Sequence, residues 1–243
     1  MARIPRIYHP EPLQGSREVQ LSEQAAQHVG RVLRLGVGAE LILFDGLGGE
    51  YTACLVESSR RHVRAKLLGF VARDSESPLS ITLAQGVSKG ERMDYTLQKA
   101  VELGVTHIVP LDTERSVVNL KGERREKKMA HWQGVIISAC EQCGRNTIAQ
   151  LLPWQSLDDW LASSVDGVGL LLDHRAETGL EGLSPATALT LLIGPEGGLS
   201  GSERTLASTR GYQGVRLGPR VLRTETAALT AIAILQSRWG DLG

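Results

Sequence analysis

Leu191-Leu-Ile-Gly-Pro-Glu-Gly-Gly-Leu-Ser200 is the stretch that decides the fold, because a buried strand, a glycine-rich loop and a helix start follow one another there. The apolar run at residues 189–193 predicts the strand. Ser200-Gly-Ser-Glu203 has the spacing of a capping box, in which a hydroxyl and a carboxylate satisfy the first free amides of a helix. The loop between them therefore lies at the carboxyl end of a strand, where open α/β sheets bind ligands. Taken alone, such a loop is equally compatible with an ordinary tight connection.

Composition limits the classes of protein to which the chain can belong. Its 243 residues allow one domain or two, and 27 Lys and Arg balance 27 Asp and Glu, so any RNA contact must use local patches. Three cysteines are too few for a disulfide framework and fit a reducing compartment. No apolar run approaches the ~20 residues needed to cross a bilayer. The start of the chain lacks a signal-peptide core, so we expect a cytoplasmic protein.

Two patterns of predicted elements divide the chain. An extended segment at 3–8, a helix at 22–35 and strands at 40–44, 50–57 and 62–70 predict an antiparallel sheet or small barrel. The polar segment 73–78 predicts a linker between a domain of residues 1–72 and one of residues 79–243. In the second domain strands and helices alternate, as in a mostly parallel α/β sheet covered by helices. The predicted strands are 79–85, 106–111, 148–152, 168–172, 189–193 and 215–217, and the helices are one opened by a capping box at Ser88-Lys-Gly-Glu91, then 123–145, 156–162, 202–210 and 224–239.

A second loop of the same kind follows the strand predicted at 215–217. Leu217-Gly-Pro-Arg-Val-Leu-Arg-Thr-Glu-Thr226 combines two arginines, a carboxylate and two hydroxyls, with Thr224 placed as the N-cap of the last helix. Two Gly-Pro turns at the ends of adjacent strands can enclose a small flat ligand through backbone amides and carbonyls. The arginines beside it suit an anionic partner.

Several other chemistries lose their sequence support. Cys140-Glu-Gln-Cys143 lacks the second pair of ligands that a structural zinc needs and falls near a helix end, so we interpret both cysteines as packing residues and expect no metal. His174 follows a strand, but from the residues alone we favour a surface loop histidine over a functional one. The chain has no phosphate-binding P-loop, and Gly46-Leu-Gly48 precedes a strand where a dinucleotide fingerprint opens a helix.

Basic residues are concentrated locally in two places. The run at residues 121–128 is interspersed with glutamates and fits a solvated helix face as well as a phosphate contact. In the first domain arginines outnumber the acids of their own short segments, which suits a nucleic-acid backbone. These arginines are Arg3, Arg6, Arg31, Arg34, Arg60, Arg61 and Arg64.

Three separated motifs carry a resemblance to a known family: Glu141-Gln-Cys-Gly-Arg145, Ile193-Gly-Pro-Glu-Gly-Gly198 and Leu217-Gly-Pro-Arg-Val-Leu-Arg-Thr-Glu-Thr-Ala227. With them the whole chain resembles the RsmE family of ribosomal RNA methyltransferases, within the SPOUT superfamily. The resemblance implies a PUA-like β-barrel for RNA, followed by an α/β domain whose end forms a trefoil knot. Ordinary connection rules alone predict an unknotted sheet. The resemblance further implies S-adenosylmethionine in the knot, a homodimer, and methylation of N3 of one uridine in 16S rRNA of the small ribosomal subunit.

The resemblance also assigns residues to the cofactor site and to RNA. Glu141 to Arg145 would reach the site from a partner subunit. Asn119 stands where the family leads us to expect a lysine, which removes one RNA contact, and no motif matches residues 176–188. The cofactor residues are Leu172 and His174 on one wall, Gly194, Pro195, Glu196, Gly197 and Gly198 on the second, Leu217, Val221 and Leu222 on the third, and Thr226; Arg145 joins Arg3, Arg6, Arg31 and Arg34 as RNA-binding residues.

The chemistry of uridine N3 indicates which side chains act. N3 carries a proton, so a carboxylate that accepts it and a cation that receives the charge spread onto the carbonyl oxygens are the required types. We predict Glu225 as the base and Arg223 as the cation, with Arg220 as a second cation and Glu196 as the competing base. The carboxylates fit equally well as residues placed near a helix N-terminus.

Three alternatives stay open. A SPOUT enzyme that methylates a ribose 2′-hydroxyl of tRNA or rRNA is the nearest. A non-catalytic RNA-binding assembly factor with the same fold is another, and a nicotinamide oxidoreductase is the most distant.

Overall fold

The computed structural model describes residues 4–59, 62–163 and 167–243. They form two compact units, which we call the N-terminal unit (Met1–Glu76 with Cys140–Ile148) and the C-terminal unit (Ser77–Ala139 with Ala149–Gly243). Residues 140–148, which a continuous division of the chain leaves in the second domain, thus pack in the first unit.

The N-terminal unit is a five-stranded mixed sheet with one short helical segment. Strand β1 is parallel to β3, and the other neighbours in the order β1-β3-β4-β5-β2 are antiparallel. The core is aliphatic, with Leu13, Val29, Leu43 and Leu55 fully buried. The sequence missed β2, because a three-residue edge strand with one apolar side chain gives no periodic signal. The elements are β1 (Arg6–Tyr8), β2 (Glu18–Gln20), α1 (Glu23–Gln27) continued by a π-helical turn (His28–Val32), β3 (Glu40–Phe44), β4 (Glu50–Ser58) and β5 (Val63–Val71).

The C-terminal unit is built on an all-parallel sheet in the order β12-β10-β11-β6-β7-β8, with β9 also paired to β7. Its central strands read as continuous apolar runs because they are buried. The predicted α/β fold class is confirmed. No helix in the described parts of the chain is long and apolar enough to span a bilayer. The elements are β6 (Ser80–Gly86), α2 (Glu91–Glu102), β7 (His107–Asp112), α3 (Glu123–Cys143), β8 (Gln150–Leu151), β9 (Gln155–Ser156), α4 (Leu157–Ala162), β10 (Val168–Leu172), a 3-10 turn (Leu180–Gly182), β11 (Ala188–Ile193), α5 (Gly201–Thr209), β12 (Gln213–Val215) and α6 (Thr224–Trp239).

Of the three helix starts predicted from capping signals, one is confirmed and two are wrong. The capping box at Ser200 and Glu203 is confirmed, with both reciprocal bonds present. The box predicted at Ser88 is wrong, because Gly90, with φ 67°, turns the chain before α2 and becomes its N-cap. The N-cap predicted at Thr224 is also wrong, because Arg223 holds that position and the Thr224 hydroxyl donates to the Gly194 carbonyl oxygen.

Candidate active site

A cavity of about 520 Å³ opens at the carboxyl ends of three neighbouring strands of the C-terminal unit. The loops after β10, β11 and β12 and the first turn of α6 surround it. Beside it the chain order of the sheet reverses, since β11 pairs with β6 on one side and with β10 on the other. Crevices at such switch points are where α/β sheets bind ligands.

The loop that follows β11, residues 194–198, is folded tightly on itself. The Gly198 amide donates to the Pro195 carbonyl oxygen at 2.8 Å. A Cβ on Gly194 would lie 2.7 Å from the backbone nitrogen of Leu199, so only glycine fits there. The capping box fixes the far end of the loop, because Glu203 also accepts a bond from the Glu114 amide at 2.8 Å. The loop therefore presents backbone to the cavity in a fixed shape.

Glu196 is held at the rim of the cavity by groups from the start of α2. Its Oε1 accepts hydrogen bonds from the Lys89 amide at 3.0 Å and from Arg92 Nη1 at 2.9 Å. Partial burial raises the pKa of this carboxyl, but hydrogen bonds from the backbone and from Arg92 outweigh it, so the pKa of Glu196 lies below its ordinary value. A carboxylate that is stabilised in this way is a weak base.

The wall that follows β10 is organised by Asp173. Its carboxylate lies 3.3 Å from Arg204 Nε and 3.7 Å from Arg175 Nη1, and its amide donates to the Val215 carbonyl oxygen. His174 lines the cavity but is exposed, with Nδ1 3.8 Å from Asp173 Oδ1. Leu172 supplies a half-buried apolar surface on the same wall.

The loop that follows β12 brings together the side chains predicted to act in chemistry. Arg220 and Arg223 are exposed and line the cavity, and within residues 4–59, 62–163 and 167–243 no carboxylate pairs with either. Glu225 lines the cavity as well, and its Oε2 is buried without a hydrogen-bond partner among the described residues. A buried carboxylate oxygen without a partner is costly, so it indicates a place for a ligand group or water. Leu217, Val221 and Leu222 complete this wall.

Thr226 is the one predicted cofactor residue that does not line the cavity. It is exposed on the first turn of α6. The sequence motif runs through it, but the helix turns its side chain away from the loops.

The predicted RNA-binding arginines fall into three groups. Arg31 and Arg34 are exposed beside α1, whereas Arg3, Arg60 and Arg61 lie outside the described residues. Arg6 is buried and pairs with Glu50, and its other nitrogen donates to the Asn146 side chain. Arg145 is buried against Glu76. Arg64 is exposed and pairs with Glu18.

Arg6 and Arg145 form buried ion pairs within the N-terminal unit, so neither guanidinium is available to a phosphate. The Oε1 of Glu141 accepts a bond from the Tyr8 amide in the same unit. The motif Glu141 to Arg145 is thus engaged within its own chain.

The cysteines are not among the residues that line the cavity. No group of three or more His, Cys, Asp or Glu that could hold a metal lies in the part of the chain that the structure describes. Cys140 and Cys143 lie at the end of α3 without a disulfide between them, and the Cys140 thiol donates to the Thr147 carbonyl oxygen at 3.7 Å. They pack in the helix end, as predicted.

Comparison with known proteins identifies the family. An RNA methyltransferase domain model matches residues 75–236, and an RNA methyltransferase PUA domain model matches residues 21–68. Ribosomal RNA small subunit methyltransferase E of Buchnera aphidicola is 34% identical over 242 residues, which cover 99% of this chain and 98% of that protein. The chain belongs to this family of RNA methyltransferases.

Two solved structures share the fold over the whole length. A methyltransferase from Legionella pneumophila, in complex with the bound cofactor SAM, is 43% identical, with a TM-score of 0.96 over 99% of this chain and 100% of that one. Ribosomal RNA small subunit methyltransferase E from Neisseria gonorrhoeae, bound to S-adenosyl methionine, is 41% identical, with a TM-score of 0.90 over the same shares. The predicted family and its PUA-like first part are confirmed.

Sequence reasoning missed several cavity residues of this methyltransferase. Five further arginines line the cavity, and they come from α2, α5 and three loops. No local motif marks them, since they are distant in sequence and only the sheet order brings them together. They are Arg92, Arg115, Arg175, Arg204 and Arg216.

Proposed function

We propose that this chain transfers a methyl group from S-adenosylmethionine to N3 of a uridine in 16S rRNA. The observation that carries the proposal is the juxtaposition of Glu225, with its unpartnered buried oxygen, and the exposed Arg220 and Arg223 at one cavity. Membership of the small subunit methyltransferase E family supplies the substrate class.

The cavity residues fit S-adenosylmethionine. A volume of about 520 Å³ is within the usual range for small-molecule sites. Leu172, Ile193, Leu217 and Leu222 offer apolar surface for a flat base, and the loop 194–198 offers backbone hydrogen-bonding groups beside it. The two relatives described above are 43% and 41% identical to this chain, and both bind this cofactor.

The proposed chemistry divides between the cofactor and this chain's residues. When bound, S-adenosylmethionine supplies an electrophilic methyl group on a sulfonium. Glu225 accepts the proton from uridine N3, which frees a nitrogen lone pair for the new N–C bond. Arg223 and Arg220 donate hydrogen bonds to the carbonyl oxygens that flank N3 and take up the developing negative charge.

Glu196 is the weaker candidate for the base. Its carboxylate already accepts bonds from Lys89 and Arg92, and its pKa is lowered. Its role in this proposal is to hold the loop 194–198 in place.

RNA recognition is assigned to exposed cations of the two units. The N3 edge takes part in base pairing, so the uridine must be unpaired or flipped out when it reacts. Arg31 and Arg34 in the N-terminal unit are exposed for backbone phosphates. A second RNA-holding region keeps the rRNA in place while one base is extruded.

Assembly and location are further parts of the proposal. The trefoil knot implied by the resemblance is supported by the path of the chain, which leaves β12 at the sheet edge and returns as α6 to pack on α2 and β11. A homodimer is supported by the exposed apolar Val221 and Ile234 beside this path. A cytoplasmic location follows from an rRNA substrate. Light scattering of the purified protein tests the dimer.

The decisive experiment incubates the protein with labelled S-adenosylmethionine and small ribosomal subunits that lack this methylation, and then maps the product by primer extension. N3 methylation blocks base pairing and stops reverse transcriptase at one uridine of 16S rRNA. A stop only at low nucleotide concentration indicates ribose methylation instead. Labelling of tRNA but not rRNA contradicts the substrate. A folded sample that binds no cofactor in calorimetry supports the non-catalytic assembly factor.

A further inference from the structure

A buried hydrogen-bonded chain joins the end of β6 to the loop 194–198 and to the first residue of α6. Gln85 Nε2 donates to Thr224 Oγ1 at 2.9 Å, and the Thr224 hydroxyl donates to the Gly194 carbonyl oxygen at 2.7 Å. Gln85 is 1% exposed and Thr224 is 7% exposed. The three groups thus link the central strand, the loop 194–198 and the first residue of α6.

The direction of each bond in this chain is fixed by its partners. Gln85 Nε2 also faces the Gly86 carbonyl oxygen at 3.0 Å and the Gly194 carbonyl oxygen at 3.5 Å. Carbonyl oxygens only accept, so the amide nitrogen of Gln85, and not its oxygen, points at this group. The Thr224 hydroxyl then accepts from Gln85 and donates to Gly194. A substitution that removes the donor of Gln85 or of Thr224 leaves a buried acceptor without that hydrogen bond.

The backbone at the end of β6 packs closely against the loop 194–198. A Cβ on Gly86 would lie 2.6 Å from Pro195 Cδ and from the Pro195 nitrogen. Three residues further along, the Lys89 amide bonds Glu196. The end of β6 therefore contacts the loop at Gly194, and the segment after β6 holds it at Glu196, while Gln85 bonds Thr224.

Thr224 stands between the two side chains assigned to chemistry, Arg223 and Glu225. Its hydroxyl does not cap the helix, although threonine is a favoured N-cap residue. The hydroxyl instead ties the start of α6 to the loop across the cavity.

We infer that Gln85 and Thr224 are positioning residues for methyl transfer, which hold the Arg223–Glu225 segment in register with the loop 194–198. The inference rests on the proposed function. Small displacements of reacting groups cost far more in rate than in binding, because the reaction needs close, aligned atoms. Loss of the link therefore lowers the rate of the chemical step in a protein that still folds and still binds the cofactor.

The test compares Thr224→Val with Thr224→Ser in the full-length protein. Valine keeps the shape but removes the hydroxyl, and serine keeps the hydroxyl. We expect Thr224→Val to lower the single-turnover rate of methyl transfer by about 10- to 100-fold. We expect its calorimetric Kd for S-adenosylmethionine to change by less than about threefold, since the cavity walls remain. Thr224→Ser should restore most of the rate.

Two further variants separate positioning from stability. Thr96→Val makes the same change at a buried threonine outside the cavity lining, whose hydroxyl donates to the Arg92 carbonyl oxygen in its own helix, so it should lower Tm without lowering the rate. Gln85→Met removes the amide from the other end of the chain and should reproduce the rate loss of Thr224→Val. If Thr224→Val does not fold, the rate of Gln85→Met tests the inference in its place.

Three results overturn the inference. A folded Thr224→Val or Gln85→Met protein with the wild-type rate shows that the link is not used. Equal losses in Thr224→Ser and Thr224→Val show that the hydroxyl is not the cause. A rise in the Kd of the cofactor by the same factor as the rate loss shows that the link serves binding only. Absence of transfer by the wild-type protein contradicts the proposed function itself, and the inference with it.

Discussion

Glu225 lines the cavity with a carboxylate whose Oε2 is buried without a hydrogen-bond partner in the described structure. If this carboxylate removes the N3 proton, Glu225→Gln keeps the shape and loses the base. General-base catalysis contributes about 10²- to 10⁴-fold, so we expect a single-turnover rate lower by that factor. Rapid-quench methyl transfer measures it.

The matched control is Glu196→Gln. This change removes a carboxylate that is already committed to Lys89 and Arg92, so we expect a smaller rate loss and a weaker hold on the loop. A greater loss in Glu196→Gln than in Glu225→Gln would reverse the two assignments.

Arg223 gives a second prediction at the residue scale. Its guanidinium is exposed at the cavity and has no carboxylate partner in the described residues, so its charge is free for the substrate. Arg223→Ala should abolish measurable turnover and leave the affinity for S-adenosylmethionine nearly unchanged. Titration calorimetry and the labelled-methyl assay check both parts. Arg210→Ala, an exposed arginine beyond the end of α5, serves as the control and should be neutral in both.

At the scale of elements, local signals predicted strands better than helix starts. Residues 40–44 and 168–172 were predicted as strands with the bounds that the structure has, because a short apolar run between turn residues is a local property. Ser88 and Thr224 carried equally good local capping signals, yet both predictions were wrong. The hydrogen bonds of the Thr224 hydroxyl to Gln85 and Gly194, and the positive φ of Gly90 after Ser88, outweigh a capping energy of about 1 kcal/mol.

The same limit applies to the candidate site. The two Gly-Pro loops could be predicted to lie at one edge of the sheet, because the carboxyl ends of parallel strands share that edge. Their strands were expected to be adjacent, which is wrong, because β10 lies between β11 and β12. The placement of Arg92 and Gln85 at the site could not be predicted. It depends on the position of β6 beside β11, and local sequence does not indicate the order of strands in a sheet.

Asp94 is the main polar link between helices α2 and α3. Its carboxylate accepts bonds from His131 Nε2 at 2.7 Å, Trp132 Nε1 at 2.9 Å and Lys128 Nζ at 3.0 Å. Burial raises the pKa of Asp94, but the bonds from His131 and Lys128 outweigh it, so the pKa lies below its ordinary value. A lowered carboxyl pKa contributes stability above the unfolded pKa of about 3.9, and this stability is lost as the pH falls through the folded pKa.

Asp94→Asn should therefore lower the free energy of unfolding by roughly 1–3 kcal/mol at pH 7, because one amide cannot accept three bonds. The gap between the two proteins should narrow as the pH falls below about 4. Urea unfolding at several pH values measures both effects. Glu91→Gln, at an exposed site of the same helix, should change stability by less than about 0.5 kcal/mol at every pH. A gap that stays constant with pH would contradict the role of the charge.

At the scale of the whole molecule, the order of secondary structure indicated the two architectures, a β sheet followed by an alternating α/β sheet. It did not indicate that residues 140–148 pack with the N-terminal unit. The predicted helix 123–145 and strand 148–152 assign these residues to the second domain, whereas their partners, Arg6 and Glu76, precede them by more than sixty residues. A contact of this kind depends on polar groups meeting in space, which periodicity does not report.

The N-terminal unit is incomplete without that segment. Buried Arg6 donates to the Asn146 side chain and to the Arg145 carbonyl oxygen as well as pairing with Glu50. Ile148 also packs within 3.3 Å of the position of a Cβ on Gly46. A fragment of residues 1–76 would keep the arginine buried with two of its partners missing. We expect this fragment to show no cooperative thermal transition, whereas the full chain unfolds cooperatively; near-ultraviolet circular dichroism distinguishes the two.

A substitution in the full-length chain tests the contribution of residues 140–148 without truncation. Asn146→Ala removes one acceptor from a buried guanidinium, and an unsatisfied buried donor costs roughly 1–3 kcal/mol, so we expect a loss of that size in the free energy of unfolding. Asn119→Ala is the matched control, because Asn119 is exposed in a loop and its removal should cost less than about 0.5 kcal/mol. Equal effects in the two variants, or a fragment 1–76 that unfolds cooperatively, would show that residues 140–148 lie against the N-terminal unit without stabilising it.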